Sequence, residues 1–207
     1  MFPLQAVVFP GEQMRLHIFE PRYQQLIAEC ESNGITFGIP CYLQGGVAEI
    51  GTEMRLLQVF NRYPDGETDI LTEGVGVFRL QRFVKDVPGK LYSAGEIERL
   101  PEEQNGQQED AVRERLHERY ETLRDVLGLD ASETPPDTPK LSFALGQEMG
   151  LRLEQKLHLL ALRGEAERQE FLLKHLEEVI PVLEAAEETR RRVRGNGHFH
   201  KFPELEL

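Results

Sequence analysis

The stretch that decides the fold of this chain is FPLQAVVFPG at residues 2–11, followed closely by LHIFEPRY at residues 16–23. The apolar run at residues 6–9 predicts a short strand, because β-branched and aromatic side chains favour an extended backbone. The Pro-Gly pair behind it predicts a turn. The second stretch predicts another short strand that leads into a helix, since Pro21 suits the first turn of a helix.

The first hundred residues continue in this β pattern, with short apolar runs separated by clusters of Gly, Pro, Asn and Asp. A single helix interrupts the pattern from residue 20 to about residue 32, and Asn33-Gly34 predicts its end. The candidate strands lie at residues 6–9, 15–18, 36–43, 48–63, 67–83 and 91–100.

After Pro101 the spacing of apolar residues changes to the period of helices. We expect a kink or break at Pro181 in the last helix, because proline lacks an amide hydrogen and clashes with the preceding turn. Thr138 and Pro139 predict the start of the second helix after Pro101. The predicted helices cover residues 109–127, 139–150, 153–163 and a last segment from residue 165.

Composition narrows the class of protein. The 207 residues carry a net charge of −12, whereas nucleic-acid binding normally needs a basic surface. No stretch approaches the roughly 20 apolar residues that a membrane span needs, and no signal sequence precedes the first strand. We therefore expect a cytoplasmic protein. The two cysteines, Cys30 and Cys41, are too few for a disulfide framework and are predicted to be buried free thiols.

The quoted motifs closely resemble the start of the N-terminal domain of Lon proteases, whose pattern is FPL…VVFPG…L.IFEPRY. Residues 51–56 and 71–80 are similar to further family motifs, although Val77 stands where the family usually has arginine. The resemblance extends more weakly to about Glu187. It implies that residues 1–101 fold as a PUA-like β-barrel. Together with the change in period after Pro101, this predicts an α+β fold in which an α-helical bundle at residues 102–194 and a C-terminal tail at residues 195–207 follow the barrel.

The same resemblance implies a non-catalytic binding module for polypeptide segments or a protein partner, such as a protease or chaperone, without ATPase or protease activity. The alternative is a PUA-like protein that binds a small molecule or RNA. The residues themselves leave both alternatives open, although the net charge of −12 makes nucleic acid the less favoured ligand.

Motifs for catalysis are missing from the sequence. The only Gly-Lys pair, Gly89-Lys90, lacks the glycine that opens a phosphate-binding loop, and no serine lies in a Gly-x-Ser-x-Gly turn. Glu20 and Arg22 are better explained as a helix start, with Glu20 capping free amides and Arg22 pairing with a carboxylate. We predict no catalytic residue, no metal site and no cofactor, and the sequence does not single out binding residues.

Two features near the C-terminus remain candidates for weaker roles. The arginine cluster at residues 190–194 is typical of the solvated last turn of a helix, with a phosphate or an acidic partner as the alternative. His198 and His200 have His-x-His spacing, but two histidines alone make a poor zinc site. Phe199 and Phe202 are expected to pack back onto the barrel or onto a partner.

Overall fold

A computed structural model describes residues 1–43, 45–103, 110–129 and 140–196. It shows five strands and five helices in these residues. In chain order they are β1 (Gln13–Ile18), α1 (Pro21–Asn33), β2 (Phe37–Leu43), β3 (Gly46–Arg62), β4 (Thr68–Val84), β5 (Ala94–Leu100), α2 (Asp110–Leu127), α3 (Leu141–Glu148), α4 (Leu153–Ala161) and α5 (Glu165–Asn196).

The five strands form one antiparallel sheet in the order β1-β4-β3-β2. The 17-residue β4 pairs with β1 along its first part and with β5 along its last part, from Val77 to Val84. Both short strands thus depend on β4, while β3 occupies its opposite edge. One face of the sheet and α1 enclose an apolar core that includes Ile18, Ile27, Met54 and Ile70.

The closed β-barrel implied by the resemblance is wrong for the described strands, because no ladder joins the two edges of the sheet. The N-terminal segment lies beside β2 instead. The amides of Phe2 and Leu4 donate to the carbonyls of Gly38 and Pro40, at 2.8 and 3.3 Å. Only an isolated parallel bridge between Leu4 and Cys41 results, so this segment is not a strand.

The strand predicted at residues 6–9 is also wrong, although its apolar side chains are buried as expected. Val8 and Phe9 are fully buried in irregular backbone. The main chain there bonds to side chains: the Thr52 hydroxyl donates to the Val8 carbonyl at 2.5 Å, and the Phe9 amide donates to Glu12 at 2.8 Å. These contacts satisfy the backbone without a ladder.

The other five predicted strands and the first helix are confirmed to within a few residues at each end. Gly34 ends α1 with a φ of 64°, the left-handed conformation that Asn33-Gly34 predicted. In α5 the structure shows no break, since the helix runs through Pro181 from Glu165 to Asn196. The predicted helix start at Thr138 and Pro139 lies outside the described residues.

The described chain divides into two compact units. The first contains the sheet, α1, α3, α4 and the first turn of α5, within Met1–Gln108 and Pro135–Arg168. The second contains α2 and the remainder of α5, within Glu109–Thr134 and Gln169–Leu207. The predicted single bundle of helices is therefore not shown. No described helix has the length and apolar content needed to cross a bilayer.

Candidate functional site

A surface groove in the first unit is the strongest candidate for a binding site, and we call it the motif groove. Its volume is about 520 Å³. Its walls are mainly apolar, with charged side chains at the margin. The lining residues are Pro3, Leu4, Gln5, Arg22, Tyr23, Tyr42, Val47, Phe83, Lys85, Asp86, Leu91 and Ser93.

The motif residues themselves form part of this groove. Pro3 and Leu4 come from the segment bonded to β2, and Arg22 and Tyr23 come from the first turn of α1. Pro21 begins α1 as predicted, and this helix start positions Arg22 and Tyr23. The sequence stretch that decides the fold thus also builds one wall of the groove.

Three large side chains on the groove are unusually exposed for their type. Tyr42 is 52% exposed, Phe83 is 37% exposed and Leu91 is 66% exposed. Single exposed apolar residues are common, but several around one concavity are typical of an interaction surface. Sequence reasoning missed these residues, because they lie at the end of β2, at the end of β4 and in a loop, far apart in the chain.

The role predicted for Glu20 is partly wrong. Glu20 occupies the residue before α1, but its side chain makes no capping hydrogen bond. It instead accepts a hydrogen bond from Arg22 Nε at 2.8 Å, which confirms the ion pair expected for Arg22. The Arg22 guanidinium also lies 4.5 Å from the centroid of the Tyr23 ring, which is itself buried against Phe2. Burial raises the pKa of Tyr23.

His17 joins the end of β1 to the β3–β4 hairpin. Its Nδ1 lies 2.7 Å from Asp69 Oδ1, and its Nε2 lies 3.0 Å from Glu67 Oε2. The hydrogen bond with Asp69 raises the pKa of His17, and Glu67 adds to the effect. Hydrogen bonds from Asn61, Tyr63 and His17 lower the pKa of Asp69 to about 2. The two carboxylates occupy opposite ring nitrogens, so the arrangement favours imidazolium.

A smaller cavity of about 150 Å³ lies beside Arg168. The Arg168 side chain is only 2% exposed and ion-pairs with Glu102 and Glu165. Its Nε donates to the Ser142 hydroxyl at 2.9 Å, and its guanidinium lies 4.3 Å from the ring centroid of Phe143. Because protein groups surround this cation, we assign it a structural role. Sequence reasoning missed it, since nothing distinguishes Arg168 from a surface arginine on a helix.

The other sequence candidates that the structure describes are not among the residues that line the motif groove. Cys30 and Cys41 are buried free thiols, as predicted, and burial raises the pKa of Cys30 to about 11. In the arginine cluster, Arg190 pairs with Glu187 and Arg192 pairs with Glu188. His198, His200, Phe199 and Phe202 lie outside the described residues. Within the described part of the chain, no group of three or more His, Cys, Asp or Glu side chains is placed to hold a metal ion.

Comparison with known proteins agrees with the fold and the motif. The chain belongs to the LON substrate-binding domain family, because the model of the ATP-dependent protease La (LON) substrate-binding domain matches residues 1–178. The structure is similar to a Lon N-terminal domain protein from Xanthomonas campestris, with 27% identity and a TM-score of 0.64 over 84% of this chain and 95% of that chain.

A second solved structure is the N-terminal domain of Lon protease from the Mycobacterium avium complex. It is 19% identical and has a TM-score of 0.61 over 86% of this chain and 96% of that chain, which supports the fold alone. No curated protein matches the chain significantly.

Proposed function

We propose that this protein is a non-catalytic module that recognises polypeptide segments through the motif groove. The observation that carries the proposal is the exposure of Tyr42, Phe83 and Leu91 around one concave surface. Burying such side chains against an apolar segment is favourable by about 25 cal/mol for each Å² removed from water. Membership of a family described as substrate-binding supports a ligand of this class.

The proposed ligand is an unfolded or extended segment of another protein. A groove with aromatic and aliphatic walls accepts many apolar side chains, because the hydrophobic effect is not directional. The margin carries both signs of charge, from Arg22, Lys85 and Asp86. It therefore does not select a strongly charged ligand such as RNA, in agreement with the net charge of −12.

Binding of a permanently unfolded, carboxymethylated protein labelled with a fluorophore tests this function by fluorescence anisotropy. We expect the double variant Tyr42→Ala/Phe83→Ala to bind about 10-fold more weakly or worse, since buried aromatic side chains dominate binding energies. Val182→Ala is the matched control, because Val182 is 67% exposed and lies in the second unit. Equal binding by the wild-type protein and the double variant would exclude the groove.

The absence of catalysis is also part of the proposal. We expect neither ATP hydrolysis nor degradation of the unfolded protein by the purified chain, measured by phosphate release and by gel electrophoresis. A protein partner, such as a protease or chaperone, and a cytoplasmic location remain proposals. Affinity purification of the tagged protein from its native cell, with the double groove variant as control, tests for such a partner.

A further inference from the structure

The second part of β3 has an unpaired edge. β3 pairs with β2 only as far as Met54, which lies opposite Phe37. It continues to pair with β4 as far as Arg62, opposite Thr68. Residues 55–62 therefore have a neighbouring strand on one side only among the described strands. β3 has register shifts between Leu56 and Gln58 and between Val59 and Asn61, so these eight residues lie opposite only six residues of β4. At about 3.4 Å for each residue of β4, the open edge is roughly 20 Å long.

The pairing register shows where the open main-chain groups begin. The carbonyls of Gly38 and Pro40 accept hydrogen bonds from the N-terminal segment. The residues that alternate with them, Phe37 and Ile39, therefore direct their main-chain groups toward β3. Met54 lies opposite Phe37 and therefore faces β2. Leu56 is two residues further along β3, so it directs its amide hydrogen and carbonyl oxygen into the open edge.

A groove of about 380 Å³ runs beside this edge, and we call it the edge groove. The end of α1 and the residues after it form its other wall. Leu56 and Val59 pack against the apolar core, and Ile35 is 46% exposed. The lining residues are Cys30, Glu31, Gly34, Ile35, Arg55, Leu56, Leu57, Gln58 and Val59.

The charged groups of the edge groove already have partners. Glu31 pairs with Arg62 at 2.5 Å, and Arg55 pairs with Glu73 at 2.5 Å. Charged side chains are a common device that keeps open strand edges from pairing. Here each charge is held by an opposite charge, so a neutral, extended segment meets little electrostatic penalty.

We propose that the open edge of β3 binds an extended polypeptide segment as an added strand, with apolar side chains at every second position. This inference rests on the proposed function in taking a polypeptide as the ligand, and it adds a second surface that reads the main chain. An extended backbone complements the amides and carbonyls that a sheet leaves open at its edge. Because side chains alternate along a strand, every second one would face Ile35 and Val59.

Backbone methylation tests the mode of binding. The probe is a labelled seven-residue peptide in which valine and threonine alternate, with two versions N-methylated either at the valines or at the threonines. In an added strand only one of these sets donates to β3. We expect one version to bind about 10-fold more weakly than the other, since two or more hydrogen bonds are lost. NMR hydrogen exchange should show protection of the Leu56 amide when the unmodified peptide is bound.

Substitutions locate the peptide and separate this inference from the proposed function. Ile35→Lys should weaken peptide binding about 10-fold, because it places a charge where apolar side chains pack. Leu127→Lys is the matched control, at 48% exposure in the second unit. Similar affinities of the two methylated versions, or no protection at Leu56, would overturn the added strand. If the unfolded protein still bound through the motif groove, the proposed function would stand; if no polypeptide bound at all, both would fail.

Discussion

At the scale of single residues, close packing explains several positions that the sequence alone left ambiguous. The pair Gly74 and Gly76 lies inside β4, where glycine weakens a strand unless it has a structural reason. A bulge or a close contact is such a reason. Both are present, since the β3–β4 register shifts opposite Val75 and a side chain at Gly74 would meet the Phe9 carbonyl oxygen at 2.4 Å.

We predict that Gly74→Ala destabilises the protein by about 1–3 kcal/mol. The added methyl group would overlap with the Phe9 carbonyl group, so the backbone of Phe9 would have to shift. Gly76→Ala is the matched control, since the nearest atom to its new methyl group is Glu53 Oε2 at 3.8 Å. Urea denaturation of both variants measures the difference. Equal free energies of unfolding would show that the Phe9 segment adjusts without cost.

His17 gives the protein a stability that depends on pH. Its raised pKa means that the folded state binds the proton more tightly than the unfolded state does. The resulting stabilisation is complete below the ordinary histidine value of 6.5 and is lost as pH rises through the folded pKa. We therefore expect the melting temperature of the wild-type protein to fall from pH 6 to pH 8 relative to that of His17→Gln.

Thermal melts of the two proteins at several pH values measure this difference. The carboxylate of Asp69 provides a separate check at low pH. Asp69, whose pKa is lowered to about 2, contributes stability above the ordinary value of 3.8 that is lost as pH falls through about 2. Parallel melting curves for both proteins from pH 6 to pH 8 would contradict the role of His17.

At the scale of elements, Arg168 ties the first turn of α5 to α3 and to the residues after β5. Its partners come from all three places, namely Glu165, Ser142 and Glu102. Such a buried cation need not add net stability compared with an apolar residue, but its removal takes a compensating positive charge from the Glu165 carboxylate, which is only 14% exposed. We therefore expect loss of Arg168 to lower the free energy of unfolding by weakening the contacts between these three parts of the chain.

We predict that Arg168→Met lowers the free energy of unfolding by about 3 kcal/mol. Arg163→Met removes a side chain that is 38% exposed, pairs with Glu103 and donates to the Pro101 carbonyl, so it should cost less, about 1 kcal/mol. Urea denaturation followed by circular dichroism measures both. Losses of similar size would mean that the buried position of Arg168 has no special effect.

At the scale of the whole molecule, the division of the chain into domains is the main open prediction. The limits 1–101, 102–194 and 195–207 come from the change in sequence period, and they stay a prediction. In the structure, Phe9 stacks on Phe143 of α3 with ring centroids 5.3 Å apart. The buried segment at residues 6–9 thus obtains part of its apolar cover from a helix beyond residue 101.

We expect the segment 1–168 to have a higher melting temperature than the segment 1–101, because Phe9 and its neighbours lose their cover in the shorter one. Circular dichroism melts of the two purified segments test this. A segment 1–101 that melts cooperatively at the same temperature would support the predicted limit at residue 101.

The sequence by itself determined the order of most strands and helices, the end of α1 and the family. These depend on local features: the period of apolar residues, the Pro and Gly positions and the contiguous motifs. The irregular course of residues 6–9 was not predicted, because the side chains of the buried Thr52 and the partly exposed Glu12 determine where that backbone forms hydrogen bonds. Local propensity describes a preference, and contacts distant in sequence override it.

Only the tertiary structure decided the open sheet, the partners of Arg168 and the two grooves. The motif groove gathers Pro3, Tyr23, Tyr42, Phe83 and Leu91 from five separate parts of the chain. The edge groove exists because β2 ends its pairing at Met54 while β4 continues. No periodicity records such neighbours, since their proximity follows from strand register and packing, which the chain defines only when it is folded.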